Sequence, residues 1–242
     1  MERTSTEMGK NKTGVQMSPV DIKETMKAVK TSGNGASGDG AGIAAVRTSY
    51  IADADPLGTV PPPGTVKGAA KAAMKKLTGK APEVFIDKLG ERLAFERSGV
   101  RLYEALLTKC QATPEKLSGM STEQLMHFRD EEAQHFKLVA ECLEQLGADP
   151  TAQTPAADVT GVASMGIMQV LDDPRTTVAQ SLQALLIAEL ADNAGWELLT
   201  ELAEELGQDD MVMRFEQALA EEVEHLDHVR KWAAQSVTSA LR

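Results

Sequence analysis

Residues 128–142 read FRDEEAQHFKLVAEC, and residues 215–229 read FEQALAEEVEHLDHV. In the first stretch Phe128, Glu132, His135, Val139 and Cys142 recur at steps of four and three. In the second, Phe215, Leu219, Glu222, His225 and Val229 do the same. That spacing is the period of one α-helical face, and the apolar members mark it as an inward face. Each face therefore carries a Glu-x-x-His pair where leucine or valine is expected.

Two further stretches follow the same rule. Leu89, Leu93, Glu96, Val100 and Tyr103 form one stripe, and Leu182, Leu185, Glu189, Asn193 and Trp196 another. Around them the sequence predicts four long helices. The first runs from Pro82 to Lys109, with Ile86, Leu89, Leu93, Val100, Tyr103 and Leu107 on its stripe. The second runs from Thr122 to Leu146, with Ser121 and Gln124 as a capping box and Gly147 as its stop. The third runs from Val178 to Leu206 and stops at Gly207. The fourth runs from Asp210 to Ala240, with Asp209 as N-cap. About a dozen residues join the first two helices and only a few join the last two. Some 30 residues with Pro150, Pro155 and Pro174 separate the pairs, long enough to cross a bundle end to end. A short helix is expected within that link, over 161–171.

The halves repeat. Glu96 precedes Glu132 by 36 residues and Glu189 precedes Glu222 by 33, and Glu131-Glu132-x-x-His135 mirrors Glu221-Glu222-x-x-His225. Four carboxylates facing one core lose their hydration and repel one another. Two divalent cations resolve both problems, with the imidazoles as neutral nitrogen donors.

Residues 83–242 resemble the ferritin-like superfamily, closest in ligand pattern to bacterioferritin and rubrerythrin. The resemblance implies an all-α, antiparallel four-helix bundle with a long crossover between helices two and three. It implies that Glu132 and Glu222 bridge two metals, that Glu96 with His135 holds one ion, and that Glu189 with His225 holds the other. Asp192 stands where rubrerythrins carry an additional site carboxylate. The implied cofactor is a pair of iron ions, with manganese also suited to these ligands. The implied chemistry is oxidation of Fe(II) by dioxygen or hydrogen peroxide. A dimanganese catalase-like enzyme and a non-catalytic iron-binding protein are the alternatives. Rubredoxin-type cysteine pairs are absent from the sequence, and residues 1–65 are unlike a cage-forming ferritin subunit.

Composition sets the surroundings. The chain has 242 residues and a net charge of −11. Residues 1–80 hold 12 Lys/Arg and 7 Asp/Glu, and residues 81–242 hold 13 and 29, so the acidity lies in the second part. An acidic domain repels phosphate backbones, which argues against nucleic-acid binding. Cys110 and Cys142 make neither a disulfide framework nor a zinc motif and are expected to pack as small hydrophobes. No run approaches a membrane span or a signal peptide, so a cytoplasmic location is expected, with a homodimer as the expected assembly. Residues 1–65, with the Gly/Ser-rich stretch 32–42 and Pro61-Pro62-Pro63, are expected to be a flexible segment without regular elements. Residues 66–82 are expected to form a short basic helix and linker. Glu131, Glu221, His127 and His228 are expected on solvated faces. Tyr103 and Trp196 are expected to pack in the core, with a hydrogen-bonding or redox role near the metals as the alternative for each.

Overall fold

The computed structural model describes residues 19–31, 40–64, 68, 82–113 and 119–241, and these contain helices and no strand. The helices are α1 (Pro19–Thr31), α2 (Ala41–Asp53), α3 (Pro82–Ala112), α4 (Thr122–Leu146), α5 (Pro155–Asp172), α6 (Val178–Glu205) and α7 (Asp209–Ser239). The chain divides into two compact units, Met1–Asp55 and Pro56–Arg242.

In the first unit, α1 and α2 replace the expected absence of regular elements. Pro19 suits the first turn of α1, and Ala41, Ala44 and Ala45 are strong helix formers in α2. The Gly/Ser-rich stretch between the two helices dominated the composition of the whole segment and obscured them. No residue of α2 is buried. The expected basic helix at 66–79 lies outside the described residues except for Gly68.

In the second unit, α3–α4 and α6–α7 are the closest-packed pairs, and the pairs meet through α3–α6 and, more sparsely, α4–α7. Helix α5 lies on α3 and α6. It starts six residues earlier than expected. Thr154 Oγ1 accepts the Ala157 N–H at 3.3 Å, and Pro155 occupies the first turn. A proline read as a break in the link is instead a helix start, because its missing N–H is one the first turn leaves unpaired anyway.

The other ends follow from local chemistry. Ser121 Oγ accepts the Gln124 N–H at 3.1 Å, and Gly147 takes a left-handed φ of 81° to end α4. A reciprocal capping box forms at Thr177 and Gln180, where none was expected. Asp209 is not the N-cap of α7. Gly207, at φ 64°, ends α6, and the turn is so short that the Gln208 carbonyl already accepts the Met211 and Val212 N–H groups at 2.9 and 3.0 Å. Gln208 therefore occupies the cap position, without a side-chain bond to the first turn of α7.

Two apolar clusters fill the interior. One contains Tyr103, Leu106, Phe128, Leu182, Leu185, Val229 and Trp232. The other contains Phe85, Leu89, Val139, Cys142, Trp196, Leu199 and Phe215. Helices α3 and α7 meet the second cluster before the first along the chain, whereas α4 and α6 meet the first before the second. On α4, α6 and α7 the inward Glu falls between the segments belonging to the two clusters, and on α3 Glu96 directly follows Phe95, where the first cluster begins. Cys142 is buried and Cys110 half-buried, and both are free thiols. No helix among the described residues is long and apolar enough to cross a membrane.

Candidate metal centre

Glu96, Glu132, His135, Glu189, Glu222 and His225 are each at most 2% exposed, and the helices bring all six together. Ligand atoms of Glu132, Glu189, Glu222 and His225 lie within 4.8 Å of one another, as do those of Glu96, His135 and Glu222. A third group joins Glu96, Glu132, Asp192 and Glu222 on the same criterion. Glu222 belongs to every group, and Glu96 and Glu132 to two each, which places Glu222 at the middle of the cluster.

The histidines turn their Nδ1 atoms inward. His135 Nδ1 lies 2.8 Å from Glu222 Oε1 and 3.7 Å from Glu96 Oε2. His225 Nδ1 lies 3.3 Å from Glu222 Oε2 and 3.8 Å from Glu132 Oε1. Their Nε2 atoms face outward onto the two glutamates expected in solvent. His135 Nε2–H donates to Glu221 Oε2 at 2.8 Å, and His225 Nε2–H donates to Glu131 Oε2 at 2.9 Å. Each pair crosses between α4 and α7, so each doubled glutamate supplies one inward carboxylate and one support for the opposite histidine. An ionised carboxylate only accepts, so its histidine carries a proton on Nε2, and in the neutral imidazole this leaves Nδ1 as the nitrogen free to ligate a metal ion.

Other side chains fix the carboxylates. The Tyr103 hydroxyl donates to Glu189 Oε1 at 2.8 Å, so the hydrogen-bonding alternative for this residue is realised within the core. Asn193 Nδ2 donates to the main-chain carbonyls of Glu189 and Glu222, both at 3.0 Å, tying α6 to α7 at the height of the cluster. Trp196 packs against His135 and Phe215, with ring centroids 5.5 Å away in both cases. Phe128 lies 4.2 Å from the His225 ring.

Arg92 is the residue the sequence reading missed altogether. It is buried, with Nε 2.9 Å from Glu96 Oε1 and Nη1 2.8 Å from Asp192 Oδ1, and Nη1 also donates to the Asp192 carbonyl at 2.9 Å. Its guanidinium lies 4.4 Å from the Phe95 ring centre and 5.8 Å from that of Trp196. Gly195 makes room for it: a Cβ there would lie 3.1 Å from Arg92 Cζ and closer still to Nη1. Asp192 is thus buried beside the cluster and paired with an arginine.

Burial governs the protonation of the empty-handed carboxylates. Desolvation, then the charge of Glu222, lifts Glu189 to about 8. Desolvation lifts Glu96 to about 6 against the pull of Arg92. Glu132 and Asp192 are held well above the usual range, first by burial. Burial opposes charge on His135, but its bond to Glu222 and the charge of Glu96 outweigh it and raise the imidazole to about 9. Glu222 falls to about 2 because its bonds to the two histidines overcome its own desolvation. Burial thus favours protonation of Glu132, Glu189 and Asp192 unless cations balance the cluster's charge.

The residues fit metal ions. Both oxygens of Glu96 and Glu222, one oxygen each of Glu132 and Glu189, and both inward Nδ1 atoms make no well-aligned hydrogen bond, and the close contacts of Glu96, Glu222 and the two Nδ1 atoms are ion pairs with Arg92 or with one another. Orphaned polar atoms at this depth cost on the order of 1–3 kcal/mol each unless something satisfies them. Five carboxylates against one guanidinium leave four negative charges when all are ionised, the number that two divalent ions neutralise.

A family model matches residues 80–242, about two thirds of the chain. The chain belongs to the family described as Domain of unknown function (DUF892). The DUF892 family is known to be ferritin-like, and the match spans every helix of the candidate centre. No curated protein and no solved structure matches the chain.

Of the remaining expectations, His127 is exposed, with Nε2 3.4 Å from Glu131 Oε1. His228 is not a free surface residue. It is partly buried, bonded to Gln124 at 3.2 Å and set against Phe128 and Trp232.

Proposed function

We propose that residues 83–242 form a ferritin-like four-helix bundle with α5 in its crossover, and that it is a di-iron protein oxidising Fe(II) with dioxygen or hydrogen peroxide. The opposed directions in which α3, α4, α6 and α7 meet the two apolar clusters support that bundle. Helices α4 and α6 run the same way, so the link between them has to return along the bundle's length, and α5 lies within that link.

The observation that carries the functional reading is the set of orphaned carboxylate oxygens and Nδ1 atoms converging from four helices. Glu132 and Glu222 would bridge the ions, Glu96 with His135 would hold one, and Glu189 with His225 the other. Iron is favoured over zinc because oxygen donors outnumber nitrogen donors. A pair of iron ions bound by these residues would supply the redox chemistry, the electrons for reducing dioxygen or peroxide. The protein's part is positional and electrostatic. Glu131 and Glu221 hold the histidines in the tautomer whose Nδ1 can ligate. Tyr103 keeps one Glu189 oxygen engaged and leaves the other orphaned. Arg92 balances Asp192 and restrains Glu96. The two apolar clusters exclude water from either end of the polar layer.

Oxygen consumption on Fe(II) addition tests the reading. Wild type is expected to consume oxygen faster than Fe(II) in buffer, and the Glu132→Ala, Glu222→Ala double variant is expected to match buffer. Tight Fe(II) binding without oxygen or peroxide consumption would sink the oxidase reading. Rapid peroxide disproportionation with manganese alone would assign the same ligands to a catalase.

A further inference from the structure

The six converging side chains have almost no contact with water, so an ion reaches them only by passing between helices. Two cavities among the described residues touch the surroundings of the cluster, and their chemistry differs. One, of about 130 Å³, lies between α4 and α7 and is bordered by Gln134, His135, Arg214, Gln217 and Glu221. The other, of about 80 Å³, lies among α3, α5 and α6 and is bordered by Lys88, Glu91, Arg92, Thr160 and Gly195.

The second cavity presents a buried guanidinium to anything that enters it. Lys88 and Arg92 outnumber the one carboxylate of this lining, Glu91, and Arg92 stands between the cavity and the carboxylates Glu96 and Asp192 that it pairs, so a divalent cation is disfavoured on that side. The first cavity presents amide groups and a carboxylate. Its arginine, Arg214, is paired with Glu141 at 2.7 Å. Glu221 spans the distance from water to the cluster: its side chain is 32% exposed, and its Oε2 accepts from His135 Nε2 at 2.8 Å. The other oxygen of Glu221 accepts from Gln217 Nε2 at 3.1 Å. The α4–α7 seam is also the most sparsely packed of the contacts between these four helices, so it opens at the smallest loss of packing.

We propose that divalent cations reach the cluster through the α4–α7 cavity, meeting Glu221 first and His135 next. The route rests on the metal-centre reading above. It adds a direction of approach, which the ligand set alone does not specify, and it gives Glu221 a second task besides supporting a histidine.

The test follows Co(II) binding to the metal-free full-length protein by stopped-flow absorbance, with Kd and stoichiometry from equilibrium titration. Gln134 is exposed at the cavity wall and holds none of the ligands. Gln134→Trp fills the mouth without changing charge and is expected to slow association and dissociation by one common factor, leaving Kd and stoichiometry unchanged. Gln134→Lys is expected to slow association about tenfold, and Gln134→Glu to speed it. Thr160→Trp, in the other cavity, is expected to leave the rates alone. Wild-type association in both Gln134→Trp and Gln134→Lys, or a slowdown in Thr160→Trp instead, would overturn the route while leaving the metal centre standing. Failure of wild type to bind Co(II) at equilibrium would remove both.

Discussion

Replacing Gly99 by alanine should damage the metal centre while leaving the helices in place. Gly99 lies three residues after Glu96 on α3, and it is buried. A Cβ at this position would lie 2.5 Å from Glu132 Cδ and 3.0 Å from its Oε1, and nearer still to Oε2. Ordinary contact begins near 3.4 Å, so the Glu132 carboxyl carbon has to retreat by about 0.9 Å, beyond the ~0.5 Å tolerance of a functional constellation. It cannot swing into water, because its residue is 1% exposed. Glycine to alanine inside a helix usually stabilises by about 0.8–1 kcal/mol. Overpacking costs about 1–3 kcal/mol, so the metal-free variant should be between unchanged and about 2 kcal/mol less stable. Metal affinity should fall by at least about tenfold to a hundredfold, the loss found when even a supporting partner of a ligand is disturbed. Gly166→Ala on α5 is the control, since a Cβ there meets nothing within 4 Å. It should gain up to about 1 kcal/mol and bind metal as wild type does. Circular dichroism would report helix content and thermal stability, and anaerobic calorimetry would report Fe(II) binding. Two ions bound by Gly99→Ala with wild-type affinity would refute the steric reasoning.

Three further outcomes follow from the same geometry. Glu131→Ala and Glu221→Ala each free one histidine from its cross-helix partner, so each should weaken metal binding by about 10–100-fold in equilibrium titration; unchanged affinity in both would deny them that role. Arg92→Met leaves Asp192 and Glu96 buried without their cation, which should cost the metal-free protein about 3–5 kcal/mol in denaturant unfolding, and a loss under about 1 kcal/mol would contradict the pairing. The metal-free protein should lose stability as pH rises. Glu189 has its folded value raised from 4.5 to about 8 and His135 from 6.5 to about 9. A raised folded value contributes stability below the unfolded value and loses it through the folded one. Melting temperature should therefore fall between about pH 6 and pH 9, with Glu222, lowered to about 2, contributing oppositely only in acid. A melting temperature that rises across that window would contradict the buried protonation pattern.

The helices and their inward glutamates were legible because a 3.6-residue period survives any tertiary detail, and a charge interrupting an apolar stripe is visible along one chain. What crosses between helices was not legible. Glu131 and Glu221 sit at the edge of their stripes and read as solvated, since nothing along one helix announces a histidine on another. Their doubling in both repeats was the available signal. Arg92 went unnoticed because it finds its partners on α6 as well as on its own helix. Gly99 and Gly195 drew no notice, although small residues beside a ligand position leave room for something large. Helix α5 was underestimated because Pro155 reads as a breaker until Thr154 is recognised as its cap. Helices α1 and α2 were hidden by averaging composition over 65 residues.

Six buried side chains converging from four helices should hold two divalent ions. Anaerobic titration of the metal-free protein with Fe(II), followed by calorimetry or absorbance, tests it most directly. Wild type should take up two ions per chain, and the Glu132→Ala, Glu222→Ala double variant should take up none while keeping its helix content. No uptake by wild type, or the same uptake in the double variant, would contradict the assignment of these residues as a metal centre.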